Sequence, residues 1–470
     1  MSMSELSKGF VAAAVAVVLA TSAQAQTVET KQYDDGGIYE GTFVNGLQDG
    51  TGTYRLPNGY EYTGEWVQGE IRGQGVARFP NGSVYEGSFA AGKPEGQGRI
   101  TFADGGTYEG EWSDGSITGR GIANYANGVV YEGEFRNAMH HGTGTMTSPG
   151  GYVYAGNWDN GSKNGEGTVT YPDGAVYEGM LSDGERDGEG TLTMADGLVY
   201  TGAWEDGDIQ GFGTLTQPNG DIYEGNLVDG RREGEGKATY SNGDTYEGMF
   251  AGDLRNGVGT FTGTDGYIYV GDWVDGKIEG NGQITYPDGS VYVGAVSNDL
   301  ANGVGKITYP NGSTYEGEWV DGVISGTGVA TFDNGLVYEG AFLNGRHHGQ
   351  GKMTYADGYT YEGDWTDGQR NGQGRAEYAD GTVYVGDFLN GQRNGQGEIT
   401  LPDGFTYTGS WQDGEINGEG IATYANGDVY EGNFERGRRE GAGVMTYATG
   451  QESVGTWSDG ALVSETGGDN

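Results

Sequence analysis

The chain of 470 residues contains no cysteine, so neither a disulfide framework nor a thiolate metal site is possible. Positive charge is scarce: 25 Lys and Arg stand against 68 Asp and Glu, a formal net charge of -43. That acid excess argues against direct binding to nucleic acid or to anionic lipid, because both would repel it. Cations, basic proteins and polycations are the better electrostatic partners, and weak divalent-cation association fits the same charge. Histidine is nearly absent, with four residues in two adjacent pairs, His140-His141 and His347-His348. Helical spacing is missing from 39–452, and no Pro/Ser-rich linker separates domains. After residue 25 no stretch approaches the roughly 20 apolar residues of a membrane-spanning helix.

What is abundant is glycine, 98 residues in all, at fixed places among aromatics. A tyrosine recurs every 23 residues from Tyr39 to Tyr430 without insertion or deletion, making eighteen full repeats over 39–452 and a degraded nineteenth at Ser453. A fixed period in this range signals an array, whose fold is argued from one unit.

Residues 1–25 read as an export signal. Lys8 precedes an apolar run over 10–20, and Ala23-Gln24-Ala25 offers a small-x-small cleavage site. The expectation is an exported protein with the periplasm as its compartment; the cell surface and the medium are the alternatives.

Residues 315–337, YEGEWVDGVISGTGVATFDNGLV, show what one unit builds. Tyr315, Gly317 and Trp319 alternate with Glu316 and Glu318, a strand with one aromatic and one acidic face. The second half alternates again, with Gly326, Gly328, Ala330 and Phe332 on one face. Asp321-Gly322 and Asn334-Gly335 close the two halves, and both pairs predict type I′ turns. Glycines at repeat positions 3, 12 and 14 are expected to leave room for rings lying flat across neighbouring strands. The predicted fold is all-β: an elongated, single-layer, twisted antiparallel meander of 23-residue β-hairpins. At about 4.8 Å per strand the array would extend roughly 170 Å.

The termini depart from the repeat. Residues 31–38, with Tyr33 and Gly36, match the end of a unit and predict an N-terminal capping strand within 26–38. Residues 453–470 read as an uncompleted unit followed by a frayed polar tail. A second period lies above the first. All nine tryptophans occupy position 5, and Trp66, Trp112, Trp158 and Trp204 recur 207 residues later as Trp273, Trp319, Trp365 and Trp411. The same offset relates the two His pairs, and Arg231-Arg232 to Arg438-Arg439. Repeats 1–9 (39–245) and 10–18 (246–452) thus read as a tandem duplication.

No residue set stands out as catalytic. The His pairs read as turn residues rather than metal ligands, since neighbours on a strand point to opposite faces. The Asp-Gly turns supply one acid beside a glycine, whereas a calcium loop needs several converging oxygens. Gly188-Glu189-Gly190 precedes a strand and no lysine of a phosphate loop follows. The Arg pairs read as solvated turn residues, with docking of an acidic partner as the alternative. No cofactor and no metal site is expected.

The repeat resembles the MORN family, whose units run close to YEGxWxxGxxHGxGxxxxxDG. Tyr338-Glu339-Gly340-Ala341-Phe342, Gly345, His348-Gly349-Gln350-Gly351 and Asp357-Gly358 carry the resemblance. Departures are Ala138, Asp253 and Asp299 at position 8, Leu181, Leu227 and Val296 at the position-5 aromatic, and Ser453 for the leading Tyr. The resemblance implies hairpin arrays that act as scaffolds, dimerise and have been proposed to bind phospholipid. Combined with the residue pattern it leads to a non-enzymatic exported scaffold that binds a protein partner or a second copy. The expected contact face is aromatic and glycine-lined: Tyr62, Trp66, Tyr108, Trp112, Tyr154, Trp158, Tyr200, Trp204, Tyr269, Trp273, Tyr315, Trp319, Tyr361, Trp365, Tyr407 and Trp411. The alternative is an envelope- or phospholipid-associated protein bridged by divalent cations.

Overall fold

A computed structural model describes residues 27–466; the segment read as an export signal lies outside the described residues. Every regular element among the described residues is a β-strand. The chain falls into two compact units, divided between Ala195 and Asp196. The first holds β1 (Val28–Gln32) to β15 (Glu185–Thr193), and the second β16 (Val199–Glu205) to β39 (Ala461–Glu465). Within each unit the strands pair antiparallel with their chain neighbours, giving the expected open, one-layer meander.

Alternation decides the faces. In β26 (Thr314–Val320) Tyr315 and Trp319 are buried while Glu316 and Glu318 are exposed or nearly so. β27 (Val323–Thr331) pairs with it so that Gly317 stands opposite Gly328 and Trp319 opposite Ile324. Asp321 (φ 48°) and Gly322 (φ 81°) form the two-residue type I′ turn that the sequence predicts.

The second turn differs. Among Asp333, Asn334 and Gly335 only Gly335 has a positive φ, 83°. The Phe332 N–H donates to Leu336 O at 2.8 Å and the Gly335 N–H to Phe332 O at 3.0 Å. Three residues must fit between the paired ends, so the chain takes a type I turn closed by a left-handed glycine. The Asn334 side chain accepts the Leu336 N–H at 3.1 Å, which is why Asn or Asp recurs there.

Position 12 also departs from expectation. Gly326 has φ 108° and sits where the register slips between Gly317 and Trp319. It serves a β-bulge rather than room for a ring.

Both ends are more regular than predicted. The N-terminal cap is β1, three residues before the expected start, because residues 33–37 form the inter-repeat turn (Tyr33 N–H to Gly37 O, 2.8 Å). The tail is not frayed at its start: β39 pairs with β38 (Glu452–Ser458) through a type I′ turn at Asp459 (φ 50°) and Gly460 (φ 87°).

Candidate interaction groove

The floor of the aromatic face is built by Tyr and Gly together. The Tyr315 ring lies across Gly317 and Gly328, and its hydroxyl donates to Glu318 O at 2.9 Å. A Cβ on Gly317 would stand 2.5 Å from Gly328 Cα, and one on Gly328 would stand 2.5–2.7 Å from the Tyr315 ring and hydroxyl. Trp319 then packs edge-on against two tyrosines, Tyr315 of its own repeat at 5.5 Å and Tyr292 of the preceding one at 5.3 Å. Phe342 repeats the arrangement between Tyr338 at 4.9 Å and Tyr315 at 5.0 Å. Where position 5 is Trp or Phe, it therefore meets the tyrosines on either side in edge-to-face contacts, the geometry ring quadrupoles favour.

This packing corrects the expected contact face. The sixteen rings from Tyr62 and Trp66 to Tyr407 and Trp411 are core: the tyrosines are 0–2% exposed and the tryptophans 3–7%. Rings that lie flat on glycine backbone and cover one another need no second layer. Burial pushes the phenol of Tyr315 up to about 12, and that of Tyr338 likewise.

A second tier lies over this floor, formed by positions 10, 18 and 22. Position 10 faces the same side as the rings, since Phe342 stands opposite His347 and Trp365 opposite Arg370. His347 stacks on Tyr338 at 3.8 Å and 20°, and His140 on Tyr131 at 3.8 Å and 19°. His140 also lies 2.7 Å from the Tyr125 hydroxyl, and burial lowers its pKa to about 4. Both His pairs are strand residues, not turn residues, and no group of three or more metal-binding side chains forms among the described residues.

The Arg pairs likewise sit in strands. Arg232 lies over Tyr223 and Phe250 and pairs with Asp253 at 3.3 Å. Arg439 lies 4.4 Å from the Trp457 ring centroid. Their partners Arg231 and Arg438, at position 9, are the exposed members.

Between the position-10 row and the inter-repeat turns the second unit opens into grooves. One, of about 580 Å³, is lined by Tyr309, Ile324, Phe332, Phe342 and His347. Another, of about 660 Å³, is lined by Leu401, Phe405, Tyr424, Arg439 and Met445. Between these sequence segments Tyr359 contacts Tyr355 at 5.0 Å and Tyr378 at 4.9 Å, all three half-buried. Positions 10, 18 and 22 were the residues that repeat counting passed over, because their identity varies from unit to unit. The available signal was parity: on the ring face, position 10 is Ile, His, Lys or Arg in most units and never Asp or Glu.

The departures at position 8 keep the turn. Ala138 (φ 61°), Asp253 (φ 71°) and Asp299 (φ 68°) adopt the left-handed backbone that glycine takes elsewhere. Each still donates its N–H to position 10 of the preceding repeat, as Asp299 does to Ile278 O at 3.2 Å. The Asp299 carboxylate also accepts the Ile278 N–H at 2.8 Å, offsetting part of the strain.

The fold and groove define a one-layer β-hairpin repeat array. Eighteen segments, from 39–59 to 430–452, match the MORN repeat, and the chain belongs to the MORN repeat family. Among characterised proteins it is similar to Alsin of Rattus norvegicus, 48% identical over 50 residues, and to Alsin of Homo sapiens, 46% identical over 50 residues. Each match spans 10% of this chain and 3% of the relative. The TCP10 domain of Danio rerio CPAP aligns over 52% of this chain and 98% of its own, at 15% identity and a TM-score of 0.18. That score is too low to carry an argument about function.

Proposed function

We propose that this chain is an exported, non-enzymatic scaffold that binds a protein partner, or a second copy of itself, in the groove over the aromatic floor. The observation that supports this reading is the second tier: half-buried aromatic and cationic side chains at positions 10, 18 and 22 line open grooves above a rigid core. Grooves of mixed apolar and polar lining, held over a packed floor of rings, suit recognition of another chain. The buried rings hold that surface in place, and the lining above them makes the contact.

The test is photocrosslinking of the intact chain in the native envelope fraction, with the reactive group at Phe332 or Tyr424. A discrete partner, or a crosslinked dimer, captured from these positions and not from Glu316 on the opposite face supports the reading. Equal capture from both faces, or a strict monomer in sedimentation with no crosslinked partner, would overturn it.

A further inference from the structure

In a chain this acidic, cations without an acid partner stand out. Arg370 and Arg393 occupy position 10 of consecutive repeats, on the ring face of the second unit. Arg370 lies 5.5 Å from the Tyr361 and Phe388 centroids, and Arg393 lies 4.5 Å from that of Trp411. Arg370 donates to Gly391 O at 2.6 Å and to the Tyr359 hydroxyl, while neither guanidinium has a carboxylate within ion-pairing distance among the described residues. Arg375 shows the contrast: it points to the acidic face and pairs with Glu377 at 3.4 Å.

The position-4 acids beside this row do not neutralise it because alternation sends them to the other side. Asp364 and Asp387 occupy position 4, and their side chains reach Gln350, Gln373 and Gln396 on the face away from the rings. At physiological salt the screening length is about 8 Å, so an anion in the groove is governed by local arginines more than by net charge. A guanidinium carries five N–H donors and Arg370 uses two of them, so both arginines keep donors for a carboxylate, and stacking on the rings has already removed much of their rotamer freedom.

The spacing of the row narrows the ligand. Successive position-10 residues are two strands apart, about 9.6 Å. A polyproline II chain has three residues per turn and rises 3.1 Å per residue, so every third side chain lies on one face at about 9.3 Å. A β-extended peptide would alternate its side chains and send every third one to the opposite face.

We propose, resting on the scaffold reading above, that the Arg370–Arg393 row binds an acidic peptide in polyproline II form, with a carboxylate at every third residue. Half-buried Tyr359, 5.9 Å from the Arg370 guanidinium and in contact with Tyr378, supplies an aromatic wall against which such a chain packs. The first unit carries a histidine followed by two basic residues at position 10 of three consecutive repeats, His140, Lys163 and Arg186, as the second does with His347, Arg370 and Arg393.

The experiment is fluorescence anisotropy of the full chain with a labelled peptide of five Glu-Pro-Pro triplets, compared with Gln-Pro-Pro and with the same glutamates clustered at one end. The Glu-Pro-Pro peptide should bind saturably, more tightly than both comparisons, and less tightly as salt rises. Arg370→Gln with Arg393→Gln should weaken it about tenfold or more, whereas Arg375→Gln leaves it unchanged. If the paired Gln variant melts early, Arg370→Lys with Arg393→Lys keeps the charge, loses the fork, and should still weaken binding. Equal affinity for the Gln-Pro-Pro peptide, equal loss with Arg375→Gln, or no binding by the folded chain overturns the proposal. Retention of phosphatidylglycerol vesicles through these arginines, without peptide binding, overturns it as well. Undiminished crosslinking of a partner from Phe332 in the paired Gln variant would also overturn it, while leaving the scaffold reading intact.

Discussion

The indole N–H of Trp319 donates to the carbonyl of Gly305 at 3.2 Å, across the boundary between one repeat and the next. Trp66 makes the same bond to Gly52 at 3.4 Å and Trp411 to Gly397 at 3.0 Å. These position-5 tryptophans thus act as ring and as tether. The carbonyl it caps belongs to a glycine that must lack a side chain for the neighbouring tyrosine to lie flat.

Trp319→Phe should keep the edge-to-face contacts and lose only the tether, costing about 1 kcal/mol. Trp319→Ala should cost about 3–5 kcal/mol by emptying a buried site. Denaturant melts separate the two variants. Because an array is stabilised by its nearest neighbours, the Ala variant should also show a separate early transition.

Two glycines should respond oppositely to alanine. At Gly317 the new methyl would meet Gly328 Cα at 2.5 Å, a backbone atom that cannot swing away, so Gly317→Ala should cost more than about 3 kcal/mol. At Gly150, whose φ is not positive and whose surroundings are open, Gly150→Ala should be neutral or stabilise by up to about 1 kcal/mol. Thermal melts of both variants beside the parent chain check the pair.

Alkaline pH should unfold the array through its tyrosines. Burial raises the phenols of Tyr85, Tyr315 and Tyr338 to about 12, above the ordinary value of 10. The folded state therefore holds the neutral form. That contribution to stability is complete below pH 10 and is lost as pH rises toward about 12. Absorbance of tyrosinate from the position-1 rings should rise only as circular dichroism is lost.

Mild acid should act through two histidines. Burial lowers His140 to about 4 and lowers His347 too, so the fold holds both neutral. Their contribution is complete above the unfolded value of about 6.5 and is lost as pH falls from there toward about 4. The melting temperature of the parent should drop more between about pH 7.5 and about pH 5 than that of His140→Phe with His347→Phe, which keeps the stack without the titration. An equal drop in both would contradict the assignment.

Much of the fold was legible because each repeat states its own local rules. The alternation of Tyr315, Gly317 and Trp319 with Glu316 and Glu318 gave strand and face, and Asp321-Gly322 gave the type I′ turn. The Asn334-Gly335 turn was misread because turn type depends on how many residues separate the paired ends, which is a property of register. Gly326 was misread for the same reason: a bulge appears only when the partner strand is in place.

The site was less legible than the fold. The sequence by itself determined that Tyr and Trp share a face, that acids occupy the other, and that glycine must underlie the rings. Only the tertiary structure decided that those rings are sealed and that the variable position-10 residues lie over them. The reason is physical. Whether an aromatic face is open or closed depends on the tilt of each ring onto its neighbours' glycines, and on contacts such as Trp319 with Tyr292, 27 residues back along the chain. Alternation within a strand specifies a direction; only packing between repeats specifies what covers it.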